Sequence, residues 1–85
     1  MPTISVFYGI KISINFIGAE HNPPHIHAEY SGHIATYAIK NNELLSGGLP
    51  PNADRMVRDW MRLYRERLLY IWNTQVFERL PGLDE

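Results

Sequence analysis

Two alternating runs, His25–Tyr30 and His33–Lys40, are separated only by Ser31-Gly32. Side chains of a strand alternate between its two faces, and a two-residue connection ending in glycine signals a tight β-hairpin. The pairing that follows constrains the fold more than any other feature of the chain. Tyr30 faces His33, Ala28 faces Ala35 and Ile26 faces Tyr37, and these six side chains are assigned to the core face. His25, His27 and Glu29 then share the opposite face with Ile34, Thr36 and Ala38.

A second alternation, Ile10 to Phe16, places Ile10, Ile12, Ile14 and Phe16 on one side and Lys11, Ser13 and Asn15 on the other, which is the pattern of a half-buried strand. Ile4 and Val6 suggest a shorter strand segment ahead of it, with Gly9 marking a bulge or bend. Pro23-Pro24 cannot donate to a ladder, so the stretch from Ile17 to Pro24 is read as a loop. Asn41-Asn42 is a further turn, Glu43 to Ser46 a short fourth strand, and Gly47-Gly48 its end. Beyond Leu49-Pro50-Pro51, Asn52 is the expected N-cap of a helix, with Asp54 near its positive end. Val57, Trp60, Met61, Tyr64, Leu68, Ile71 and Trp72 recur at helical spacing on one face. The spacing predicts about 25 residues of helix, long enough for a break near Arg65–Arg67. The reading is α+β: two layers, an antiparallel sheet of about four strands packed against one long C-terminal helix.

Eighty-five residues make a single domain, residues 1–85, whose folding buries about 60–65% of the unfolded chain's surface. The net charge of −1 gives no overall attraction to nucleic acid. With no cysteine, disulfides, thiolate nucleophiles and sulfur-rich zinc sites are all excluded. The start of the chain lacks the basic and apolar regions of a signal peptide, and no apolar run approaches the ~18 residues of a membrane span. A cytoplasmic, membrane-free protein is expected.

All four histidines fall between residues 21 and 33. On a strand the His25 and His27 side chains project from one face about 6.5–7 Å apart, which lets two ring nitrogens meet one ion at about 2.0–2.1 Å each. Pro23 and Pro24 restrict where His21 can lie. His21, His25 and His27 are therefore candidate ligands for a divalent transition metal such as zinc. Glu29, about 13 Å along a straight strand from His25, suits orientation of His27 better than direct ligation. The plainer alternative is that these imidazoles bond backbone in a rigid loop or contact a partner.

Arg55, Arg58, Arg62 and Arg65 form a helical stripe opposite the apolar face. It can hold phosphate or an acidic partner, although a solvated helix face looks the same. Trp60, Tyr64 and Trp72 read as core, and no phosphate-cradling glycine loop or nucleophile motif is present.

Met1-Pro2-Thr3-Ile4-Ser5, Phe7-Tyr8-Gly9-Ile10 and His21-Asn22-Pro23-Pro24-His25-Ile26-His27-Ala28-Glu29-Tyr30 together resemble segments of the small bacterial proteins of domain-of-unknown-function family 4160. Leu49-Pro50 followed by a helix with Trp60 and Trp72 is similar too. The resemblance implies gene pairs of toxin–antitoxin type, and hence a small cognate protein encoded nearby as partner. Val6, where a basic residue is expected, and Tyr64, where many members carry histidine, depart from the pattern. The leading expectation is a component of such a two-protein module, working by protein–protein contact through the histidine segment. A small nuclease, metal-dependent or using histidine acid–base chemistry, and a metal-binding or metal-sensing domain are the alternatives. An exposed sheet edge also leaves a homodimer open.

Overall fold

Two tight turns organise the sheet. At Tyr8-Gly9 and at Ser31-Gly32 both central residues have positive φ (51° and 79°, 49° and 83°), the backbone twist that matches flanking strands. The computed structural model of the protein describes residues 2–14 and 23–85. Its elements are β1 (Thr3–Phe7), β2 (Ile10–Ser13), β3 (His25–Tyr30), β4 (His33–Ala38), β5 (Leu44–Gly47) and α1 (Pro51–Thr74). The strands pair antiparallel in chain order, β1-β2-β3-β4-β5, and α1 covers one face.

The β3–β4 register agrees residue for residue with the expected one, from Tyr30↔His33 to Ile26↔Tyr37, and continues to His25↔Ala38. Strand number differs: the described residues hold five rather than about four. Gly9 is not a bulge within one strand, because Phe7 pairs with Ile10 across it and Ile4 and Val6 belong to a strand of their own. The turn was hidden because tyrosine, not asparagine or aspartate, precedes the glycine. Asn15 and Phe16, the expected end of the second strand, lie outside the described residues.

Ile4, Ile10, Ile12, Ile26, Tyr37 and Ile39 from the sheet side meet Val57, Trp60, Met61, Leu68 and Ile71 of α1 in one buried cluster. The indole N–H of Trp60 is satisfied by the Pro81 carbonyl at 2.7 Å. The helix starts earlier than expected. Pro50 is the N-cap and Pro51 opens the first turn, so Asn52 lies inside it and makes no cap. A proline at the first helical position costs no hydrogen bond and presets φ, which displaces the start signal that asparagine offered. Tyr64 (φ −116°, ψ 21°) is non-helical and kinks α1 just ahead of the expected break. After α1, the chain returns to β1, where the Leu80 N–H donates to the Ile4 carbonyl at 2.7 Å. Among the described residues no helix is long and apolar enough to cross a membrane.

A polar clamp joins the helix to the turn between β4 and β5. Tyr37 donates its hydroxyl to Asp54 at 2.6 Å, and Asp54 pairs with Arg58. Burial, then the Asp54 hydrogen bond, raises the Tyr37 phenol well above its ordinary pKa. Arg58 also donates to the Asn42 carbonyl at 2.8 Å, while Asn42 Nδ2 donates to the Arg58 carbonyl at 3.2 Å. Arg65 donates to Asn42 Oδ1 and to the Ile39 carbonyl. Asn42 holds a left-handed φ of 61° that asparagine tolerates and alanine does not. Asn42→Ala is therefore expected to lower unfolding stability by about 3 kcal/mol, from lost charge-assisted bonds and backbone strain together. Asn42→Gly should recover about 1 kcal/mol of that, because it relieves the strain alone. Urea denaturation of the three proteins measures both.

Candidate functional site

The hairpin register that points Ile26 and Ala28 inward points His25 and His27 the other way, and the two rings meet edge to face with centroids 5.2 Å apart. Each is held by its surroundings. His25 Nδ1 lies 2.9 Å from the Pro23 carbonyl, which can only accept, so Nδ1 carries the proton and neutral His25 has an unprotonated Nε2. His27 Nδ1 lies 3.3 Å from Thr36 Oγ1, the residue opposite it on β4. From α1, Trp72 places its half-buried indole 5.0 Å from the His25 ring, with the planes inclined by 55°. Pro23, His25, His27, Thr36 and Leu45 line a pocket of about 270 Å³.

Burial lowers the His27 pKa below its ordinary 6.5, and the neighbouring His25 imidazole lowers it further. At neutral pH His27 is thus an uncharged ring that can donate from one nitrogen and accept at the other. The pocket combines two heteroaromatic rings, a hydroxyl and a leucine.

Of the expected ligand set, His25 and His27 come together, and His21 lies outside the described residues. Glu29 stands opposite Lys11 and forms an exposed ion pair with it at 3.9 Å. His33 is on the core-side register at the far end of the hairpin, exposed and away from the pocket. Among the described residues no three His, Asp or Glu side chains are grouped to hold an ion.

The arginine stripe is divided. Arg58 and Arg65 are half-buried in the clamp, and Arg62 pairs with Asp59, leaving Arg55 as the exposed member outside these contacts. Sequence reasoning missed Trp72 as a site residue. Its spacing on α1 marks it as core, and only the packed helix brings it to His25. Thr36 was legible as the same-face neighbour of His27, whereas Leu45 belongs to a strand whose pairing the sequence did not set.

A family model described as a domain of unknown function (DUF4160) matches residues 9–73. No curated protein matches the chain, and no solved structure does.

The depressed His27 pKa has a definite sign for stability. Below pH 6.5 the unfolded chain takes up this proton before the folded protein does, so the His27 contribution is complete above 6.5 and is lost as the pH falls. It levels once folded His27 is protonated too. Urea midpoints measured from neutral to mildly acid pH should fall on acidification, and His27→Gln should flatten that fall. An unchanged slope would mean that the ring is solvated like a free histidine.

Proposed function

The chain belongs to the DUF4160 family of domains of unknown function, and from that premise we propose that it is the binding component of a small two-protein, toxin–antitoxin-like module. The histidine pocket docks a cognate protein encoded beside it. One observation carries this reading: the pocket walls are two imidazoles, a threonine and a leucine, with an indole packed behind His25. Aromatic groups with fixed hydrogen-bonding edges, in a part-buried hollow, are the composition of a protein-binding hot spot. The orienting contact of His25 also favours binding over catalysis: a backbone carbonyl holds it, whereas histidine bases are commonly oriented by a carboxylate. A nuclease would in addition need free cationic groups, and three of the four stripe arginines already serve the clamp or Asp59.

Co-expression with the product of the adjacent gene should yield a stable complex. Trp72→Ala and His27→Ala should each weaken it at least about 30-fold, or about 2 kcal/mol, in calorimetric titration. Failure to form any complex overturns the reading.

A second reading, a metal-binding or metal-sensing domain, is favoured by the His25 bond to the Pro23 carbonyl. Such a bond orients a metal-ligating imidazole and leaves its other nitrogen unprotonated. Elemental analysis of untagged protein then gives near-stoichiometric zinc or a similar ion, abolished in the His25→Ala/His27→Ala double variant. No metal after dialysis against added ions leaves the imidazoles as contact groups.

A further inference from the structure

Among the described residues half-buried Arg65 is not a wall of the histidine pocket, yet it is tied to three of the segments that form or back it. Its Nε donates to the Ile39 carbonyl at 3.1 Å, and the N–H of the same Ile39 donates to the Pro24 carbonyl at 2.9 Å. Pro24 stands between His25 and Pro23, whose carbonyl accepts the bond from His25 Nδ1. The Arg65 Nη2 donates to Asn42 Oδ1 at 2.9 Å, in the turn that leads to β5 and so to Leu45. Trp72 lies seven residues further along α1, which two helical turns bring back to the same side, and its ring packs on His25.

These contacts close into a ring. One side runs from Arg65 through Ile39 and Pro24 to His25, and the other returns from His25 through Trp72 along the last turns of α1. Arg65 directly follows Tyr64, the non-helical residue at the kink. No glycine or proline lies between Asn52 and Thr74 to cause that kink, and such a backbone conformation persists only where the surroundings over-determine it. Here the Tyr64 ring packs on Trp60 with centroids 5.5 Å apart, while Arg65 is held by the sheet. Fixing the residue after the kink fixes the direction of the second half of α1, and hence where Trp72 arrives. A guanidinium suits this position because its planar fork of donors holds two acceptors at once.

We infer that Arg65 is a positioning residue for the histidine pocket: through Ile39 and the course of α1 it holds His25 in a single tautomer with Trp72 packed against it. The inference deepens the partner-binding reading and rests on that reading for its functional meaning. It also separates Arg65 from Arg58, whose bonds go to Asp54 and to the Asn42 carbonyl and serve the clamp alone.

Nitrogen-15 NMR of the imidazoles at mildly alkaline pH, where histidine is neutral, reads the tautomer directly, and the His25 signals are identified by their loss in His25→Ala. The natural protein should carry the proton on His25 Nδ1 alone and show proton–proton contacts between that ring and Trp72. Arg65→Met keeps the aliphatic stem and removes every donor, so both tautomers should appear and the Trp72 contacts should weaken. Arg65→Lys, which retains the charge and one point donor, should fall between the two and carries the test should Arg65→Met not fold. Arg58→Ala loosens the clamp and lowers stability, but should leave the His25 and Trp72 signals in place. In the complex with the adjacent gene's product, Arg65→Met should weaken binding about 10-fold although no pocket wall is changed. Unchanged His25 signals in Arg65→Met, or in Arg65→Lys where the first does not fold, overturn the inference. So does an equal change in Arg58→Ala, or an unchanged affinity in a complex that forms. The spectra are taken on the free protein, so the absence of any complex overturns the partner-binding reading while the tautomer still decides the role of Arg65.

Discussion

Ser31 and Gly32 accept positive φ together, and this sets Tyr30 opposite His33 and every later pair of the β3–β4 hairpin. A slip of one residue would turn one strand over relative to the other. With β4 kept in place, Ile26 and Ala28 would leave the core, and His25 and His27 would enter it. Core and pocket are thus two sides of a single pairing. The burial of four side chains at 0–1% exposure holds the register that presents the imidazoles.

The helix depends on that register through Tyr37. Its ring is fully buried, and its hydroxyl reaches Asp54 in the first turn of α1. Asp54 holds Arg58, Arg58 and Arg65 hold Asn42, and the turn leading into β5 is fixed as a result. A part-buried polar chain of this kind contributes less by its net energy than by the cost of leaving any member unpaired. It anchors the first half of α1 to the sheet. Beyond the kink at Tyr64, Leu68 and Ile71 continue the core while Trp72 reaches the His25 ring. One helix therefore serves stability along most of its length and the pocket near its end.

Much of this was legible along the chain. Alternation gave the core face of β3 and β4, and helical spacing gave Val57, Trp60, Met61, Leu68 and Ile71. The pairing of His25 and His27 followed from their separation of two on a strand. Tyr8-Gly9 was not legible as a hairpin, since glycine in a strand-like stretch also marks a bulge, and pairing across the turn decides between them. The start of α1 was misplaced by two residues because Asn52 and Pro51 carry competing signals. The arginines looked alike as a helical stripe. Which of them are drawn into the fold depends on the carbonyls of Ile39 and Asn42, which lie far away in sequence.

By itself the sequence determined the α+β class, the β3–β4 register and the presentation of two histidines on one strand face. These follow from local periodicity and turn stereochemistry, which act over a few residues. Tertiary structure alone decided that Trp72 backs His25, that Arg58 and Arg65 clamp Asn42, and that the C-terminal segment runs beside β1. Each of these joins residues distant along the chain. Their meeting is set by how α1 settles on the sheet, and no local pattern encodes that.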